Sequence, residues 1–449
     1  MPWAPGDAAW RLAMPRLRFG VVDRQACRRA SKAKTNLLPL SKRNVAVVAW
    51  LEDYSPLREA SMQELSQRTS QFTDSVIRRM TRVSMKYDAI NLSQGFPDFD
   101  PPAEITDRLA EVAHKGPHQY AITWGAPNFR AALAAKQSPR MGIDIDPETQ
   151  IVVTCGSTEA MMCSVMTVTN PGDRVVIFSP FYENYGADTI LCGADPTYVE
   201  LHAPTFTFYE AELEAACAMP GTKALILCNP SNPCGHVFSR PELEFIAKMA
   251  EKYDLWVITD EVYEHIVYAP YEHIYFASLP GMEKRALSCS SLSKTYSMTG
   301  WRLGYVIAPA DVIDRARKVH DFLTVGAAAP LMEAAVAGLE LPQSYYDELA
   351  ALYTHKRDLF CDGLRSLGFD FIEPQGAYYV MADISSLGYE SDYDCAVDLI
   401  KKVGVGTVPA SCFYDAPENR FVRFHFAKSD EVLKAALDRL DGWREKMAK

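Results

Sequence analysis

Leu255-Trp256-Val257-Ile258-Thr259-Asp260-Glu261-Val262-Tyr263 opens with five strand-prone residues and then turns abruptly to two acids. A short apolar run without alternation is what a strand buried on both faces of a parallel sheet requires. Three other runs read the same way: Ile151-Val152-Val153-Thr154, Arg174-Val175-Val176-Ile177-Phe178 and Ala224-Leu225-Ile226-Leu227-Cys228. Ahead of Leu255, residues 241–253 place Leu243, Ile246, Ala247 and Ala250 at helical spacing, with Pro241 near the start. Strands alternating with helices predict an α/β fold with a large domain: a mostly parallel central sheet and flanking helices. Beyond about residue 331 the pattern changes. Helical spacing covers 331–364 with a break at Pro342, a β-prone segment covers 377–382, a helix falls near 393–403, and 421–426 alternates. This predicts a smaller α+β domain closing the chain.

Composition narrows the function classes. The 449 residues are 48% hydrophobic and 11% aromatic, enough to bury a core. No stretch approaches the ~20 uninterrupted apolar residues of a membrane-spanning helix, so no membrane partner is expected. A net charge of -11 argues against a nucleic-acid-binding body. The 11 cysteines, with no C-x-x-C pair, read as reduced thiols in a cytosol-like compartment, with no disulfide framework and no metal site. The charge is uneven: the first fifty residues carry Lys and Arg throughout, against only Asp7 and Asp23. Residues 1–61 read as an irregular basic leader outside the fold. Organelle transit peptides are basic and Ser-rich, but this stretch is poor in Ser and Thr, which favours a segment upstream of an initiator at Met62. The expected division is 62–104 as an arm and part of the small domain, 105–330 as the large domain and 331–449 as the small domain.

The polar residues cluster after the apolar runs. Ser290-Ser291-Leu292-Ser293-Lys294-Thr295-Tyr296-Ser297-Met298-Thr299-Gly300-Trp301-Arg302-Leu303-Gly304 sets one lysine among small hydroxyl and apolar residues. A lone lysine is usually a solvated charge, but these neighbours do not make a solvated face. In such a site the amine is partly deprotonated and nucleophilic toward carbonyls. The hydroxyls and Arg302 suit a phosphate. Asp260 follows its strand directly and falls at a carboxyl end, where open α/β sheets place ligands. There it either caps a helix or keeps a heteroaromatic nitrogen protonated, with the Tyr263 phenol three residues on. Asn229-Pro230-Ser231-Asn232-Pro233-Cys234-Gly235 also follows a strand, and its doubled Asn-Pro exceeds what a turn needs. Cys155-Gly156-Ser157-Thr158-Glu159 opens a helix after a strand, a generic anion seat. No Walker lysine and no G-x-G-x-x-G follows a strand, so nucleotide binding has no support. A phosphate seat, a carboxylate for a ring nitrogen, a partner for a ring oxygen and an imine-forming lysine are together the parts pyridoxal phosphate requires.

From Asn91-Leu92-Ser93-Gln94-Gly95-Phe96-Pro97-Asp98-Phe99 to the C-terminus, the chain resembles the class I/II aminotransferases of the pyridoxal-phosphate fold-type-I superfamily. The motifs are Ser-x-Ser-Lys with Gly-Trp-Arg-Leu-Gly, the Asn-Pro pair before Gly235, Asp260-x-x-Tyr263 and Val422-Arg423-Phe424. Gln94-Gly95-Phe96-Pro97-Asp98 and Gln119-Tyr120 place it nearest the subgroup of kynurenine, methionine and prokaryotic aspartate aminotransferases. The resemblance implies an aspartate-aminotransferase-like fold and transfer of an amino group from an L-amino acid to a 2-oxo acid by ping-pong chemistry. It implies that Lys294 forms the Schiff base, Asp260 pairs with the pyridine nitrogen, Asn232 and Tyr263 bond the ring oxygen, and Tyr182 stacks on the ring. Ser157, Thr158, Ser291 and Arg302 would take the phosphate, with Tyr120 reaching the phosphate of a neighbouring subunit in a homodimer. Gly95 and Arg423 would hold the α-carboxylate, with Asn232 beside them. Arg423 sits in an alternating strand, so its alternative is the solvent face of an edge strand. The segment Asp321-Phe322-Leu323-Thr324-Val325-Gly326-Ala327-Ala328-Ala329-Pro330 reads as the loop where one dicarboxylate-specific subgroup carries an arginine, and it has none. Cysteine-conjugate β-lyase chemistry uses the same residues and is the alternative reaction. A regulator with an aminotransferase-like domain is disfavoured, since 1–61 is too short and irregular for a winged helix. A cytoplasmic enzyme is expected.

Overall fold

The computed structural model describes residues 65–448. The basic leader over 1–61 and the first residues of the arm lie outside the described residues. Within them, thirteen strands form three sheets. A two-residue strand, β1 (Ile90–Asn91), comes first. The seven-stranded sheet follows, from β2 (Ile151–Thr154), β3 (Arg174–Ser179), β4 (Asp195–Glu200), β5 (Thr222–Cys228), β6 (Trp256–Asp260), β7 (Ala286–Ser291) and β8 (Gly304–Ile307). Its order is β2-β8-β7-β6-β5-β3-β4. Every pair from β7 to β4 is parallel, whereas β8 runs antiparallel to both β7 and β2.

The missing alternation in the four apolar runs has a direct cause. In β5, Leu225 and Leu227 join one core while Ala224 and Ile226 join the core on the opposite face. The first face is covered by helices Pro127–Met141, Glu210–Cys217 and Arg240–Lys252, the second by helices Ser157–Val168 and Ala310–Thr324. Burial of each Leu or Ile side chain contributes about 1.5–3 kcal/mol, so both layers are needed to hold the sheet. Helix Arg240–Lys252 carries a capping box between Ser239 and Glu242, has Pro241 in its first turn, and buries Leu243, Ile246, Ala247 and Ala250 as the spacing requires.

Two expectations are corrected. β2 reads as a strand of a parallel sheet, but among the described residues its one hydrogen-bonded neighbour is the antiparallel β8. Residues 321–330 are not a loop throughout: Asp321, Phe322, Leu323 and Thr324 are the last turn of helix Ala310–Thr324.

The C-terminal part carries an antiparallel sheet built from β9 (Asp370–Ile372) and β10 (Tyr379–Asp383), then β12 (Val408–Pro409) and β13 (Phe421–His425), in the order β12-β13-β10-β9. Between them in sequence, β11 (Val405–Gly406) pairs in parallel with β1. Met80 and Leu92 share a core with residues of this part, such as Phe360, Val380, Phe424 and Leu433. A break at Pro342 separates helices Ala329–Leu339 and Gln343–Ser366.

Candidate active site

The carboxyl ends of β2, β5, β6 and β7 all deliver residues to one cavity of about 800 Å³. Gly95, Ser157, Thr158, Tyr182, Asn232, Asp260, Tyr263, Lys294, Arg302 and Arg423 line it together. Two expected residues do not. Ser291 is buried at the cap of the turn Leu292–Thr295, where its Oγ accepts the Ser293 N–H at 3.3 Å. Tyr120 is 89% exposed and stands outside the cavity.

Lys294 lies on that four-residue turn just after β7. Its Nζ donates to the Gly95 carbonyl oxygen at 3.3 Å and lies near the rings of Tyr263 and Tyr378. Burial pushes the amine down to about 8; Asp260 opposes this, and Arg302 and Arg423 add to it. Asp260 ends β6 and is buried, which raises its carboxyl; the Tyr185 hydroxyl, donating to Oδ2 at 2.8 Å, pulls it back. The Tyr263 hydroxyl lies 2.9 Å from that of Tyr379.

The anion seat depends on close backbone approach. Gly156 has φ +82, and a Cβ there would overlap the Arg302 guanidinium. Only glycine takes that backbone and leaves that space. The helix Ser157–Val168 therefore starts with its free N–H groups beside a guanidinium. Glu159 in its first turn is occupied. Burial would raise its carboxyl, but the His320 ring (2.7 Å), with the Cys155 N–H and the Thr324 hydroxyl, holds it below its usual value.

Arg423 is 1% exposed, so the solvent-face alternative is overturned. All five residues of β13 are buried, because the strand lies inside its sheet between β12 and β10. Nη1 donates to Asn232 Oδ1 at 2.7 Å and Nη2 to the Ser93 carbonyl oxygen at 2.9 Å. The guanidinium stacks between Tyr379 (4.2 Å) and Phe413 (4.6 Å). Gly95 faces the same region, and a Cβ there would collide with Tyr378 and Tyr379.

Among the lining residues that escaped the sequence reading are Arg78, Tyr185, Asp188 and Tyr379. Tyr185 stands three residues after Tyr182, one helical turn on, which is the one local signal that could have found it. Asp188 lies a turn further, with its carboxyl pushed up to about 8 by burial and by Asp260. Arg78 and Tyr379 reach the cavity only through tertiary packing. Among the described residues no group of His, Cys, Asp and Glu could hold a metal ion, and no helix is long and apolar enough to cross a membrane.

Comparison with known proteins identifies the family. Residues 87–440 match the family model described as aminotransferase class I and II. The chain is 34% identical over 416 residues to a kynurenine–oxoglutarate transaminase of Dictyostelium discoideum, covering 84% of this chain and 95% of the relative. It is 33% identical over 371 residues to a methionine aminotransferase of Escherichia coli, covering 82% and 96%. Among solved structures, N-succinyldiaminopimelate aminotransferase from Mycobacterium tuberculosis superposes with a TM-score of 0.82 at 34% identity, covering 84% of this chain and 100% of that one.

Proposed function

The chain belongs to the class I and II aminotransferase family, and on that premise we propose how its residues divide the work of moving an amino group from an amino acid to a 2-oxo acid. It is a pyridoxal-phosphate-dependent transferase with the aspartate-aminotransferase-like fold; β-elimination is not the favoured reaction. The residues present fit the cofactor: Gly156 leaves room for Arg302 beside a helix N-terminus, and Ser293 carries a buried hydroxyl with no partner among the described residues. Ser157, Thr158 and Arg302 would hold its phosphate, Tyr182 would stack on its ring, Asn232 and Tyr263 would face the ring oxygen, and Asp260 the ring nitrogen. When bound, pyridoxal phosphate supplies an aldehyde that takes up the amino group and a ring that accepts electrons as the substrate Cα loses a proton.

The protein's share is binding and proton movement. Arg423 clamps the α-carboxylate with a guanidinium already oriented by Asn232, Ser93 and two aromatic faces, and Gly95 leaves space for that carboxylate. Lys294 Nζ, its pKa lowered to about 8 by burial so that a fraction is unprotonated at physiological pH, takes the proton from Cα and returns it. The Tyr263 hydroxyl, bonded to Tyr379, holds its proton in the same cavity. Asp260, bonded to Tyr185, offers a carboxylate oxygen to a ring N–H. The observation that carries this assignment is the convergence of Lys294, Asp260, Asn232 and Arg423 on one cavity. Mapping the lysine that borohydride joins to the cofactor tests it.

We also propose a cytoplasmic homodimer with shared sites and the division of 105–330 from 62–104 with 331–449. Tyr120 supports the dimer, because it is exposed and outside its own cavity, where it can serve a neighbour's phosphate. The free thiols of all ten described cysteines support a reducing compartment. Mixing subunits that carry Lys294→Ala with subunits that carry Tyr120→Phe and a second severe change should partly restore activity. Verified heterodimers without recovery would contradict shared sites.

A further inference from the structure

The anion seat contains a residue that works against it. Glu159 stands in the first turn of helix Ser157–Val168 and lines the cavity with Ser157, Thr158 and Arg302. A carboxylate there suits the helix, because it faces the positive end of the dipole and its Oε2 accepts the Cys155 N–H. It does not suit a phosphate, which would meet a like charge at the N–H groups that should hold it. Burial would raise the Glu159 carboxyl, but His320, the Cys155 N–H and the Thr324 hydroxyl hold it below its usual value, so the charge is present near neutrality.

The answering charge comes from helix Ala310–Thr324. His320 is fully buried, with Nδ1 2.7 Å from Glu159 Oε1 and Nε2 3.0 Å from the Thr123 carbonyl oxygen. A carboxylate and a carbonyl oxygen only accept, so both ring nitrogens must donate, and only the imidazolium does that. One turn on, the Thr324 hydroxyl donates to the same Glu159 oxygen at 2.8 Å. A buried ion pair is weak support for a fold, since apolar residues of similar volume hold two helices together as well. The position of this one, at the start of the phosphate helix, gives it a role. The pair carries no net charge, which leaves Arg302 to meet the phosphate.

We propose that His320 is a positioning residue for the cofactor: its imidazolium cancels the charge of Glu159, so that the helix start beside Arg302 accepts a phosphate dianion. This rests on the reading given under Proposed function and deepens it. His320 does not line the cavity and acts through Glu159.

The test compares pyridoxal phosphate with pyridoxal, which lacks the phosphate, binding to the full chain stripped of cofactor, with affinity read by absorbance. His320→Gln keeps a hydrogen-bonding side chain and removes the charge. It should weaken pyridoxal phosphate by about 10- to 100-fold, the loss of one charge-assisted interaction, and pyridoxal by less than about threefold. Combining it with Glu159→Gln removes both charges and should return pyridoxal phosphate to within about threefold of wild type. Equal weakening of both aldehydes, which marks a purely structural role, would overturn the proposal. So would no change in either, or a double variant no better than His320→Gln alone. Should His320→Gln not fold, Glu159→Gln alone decides: it should bind pyridoxal phosphate at least as tightly as wild type, and a selective loss would overturn the proposal. Arg302→Gln separates the two levels, because it should weaken pyridoxal phosphate far more than pyridoxal. If it does while His320→Gln does not, only the His320 proposal falls; if it weakens both alike or neither, the underlying reading of the seat falls.

Discussion

Lys294, half-buried, and Arg423, fully buried, are both cations facing one cavity, yet their surroundings do opposite things to them. Lys294 sits on a single turn at the rim of the large sheet, held by one 3.3 Å bond to a carbonyl oxygen, and its proton is destabilised. Arg423 sits inside β13 of the small sheet with two short bonds and two aromatic faces. Burial turns the amine into a group that gives and takes protons. The guanidinium is fixed in place by its hydrogen bonds and aromatic neighbours. The large sheet's rim therefore supplies variable protonation, and the small sheet supplies permanent charge.

The strongest way to break this contrast is Lys294→Ala, which should reduce turnover by more than about 10⁴-fold in steady-state assays, since both the cofactor link and the proton carrier go. Asp260→Ala should keep the fold by circular dichroism and cost about 10³-fold in kcat, because a preorganised charge at the ring nitrogen is lost. A variant within a few-fold of wild type would mean that Asp260 does not face the ring. Arg423→Lys keeps the charge and removes the fork, so kcat/KM should fall by about 30-fold to several thousand-fold, for every amino acid alike. A loss confined to dicarboxylic substrates would instead place Arg423 at the side chain.

The pH dependence sharpens the contrast. Only the neutral amine attacks an aldehyde, and burial lowers the Lys294 pKa to about 8. Capture of pyridoxal phosphate by the apoprotein, followed by absorbance, should therefore speed up about tenfold per pH unit below that value and level off above it. An ordinary lysine would continue to gain up to about pH 10.4. The smallest effect belongs to Tyr185→Phe. Losing one hydroxyl bonded to Asp260 should cost about 3- to 30-fold in kcat, and the pH at which the spectrum of the bound cofactor changes should shift from that of wild type. An unchanged spectrum would make Tyr185 a packing residue.

The two regions also differ in how readable they were. β2, β3, β5 and β6 could be read because burial on both faces demands unbroken apolar residues. β7 could not: Ala286-Leu287-Ser288-Cys289-Ser290-Ser291 is half hydroxyl, being shaped by the site it leads into. β4 begins Asp195-Pro196 on the sheet edge, where the requirement for apolar residues lapses, and β8 opens on Gly304, whose backbone touches Gly156. Motifs at strand ends kept their order in the sequence and were found. Asp188, Tyr379 and Arg78 carry no local signal, because they become part of the site only when distant segments pack. The alternation in 421–426 suggested one exposed face, yet both faces of β13 are covered, one of them holding Arg423 against the cavity.

The most direct test of the central claim is borohydride reduction of the purified, cofactor-loaded protein followed by peptide mapping. Pyridoxal phosphate should be joined to the peptide Ser290-Ser291-Leu292-Ser293-Lys294 at Lys294 alone, and the visible absorbance of the bound cofactor should bleach. Labelling of any other lysine, or bleaching without a labelled lysine, would contradict the assignment of Lys294 and the division of roles built on it.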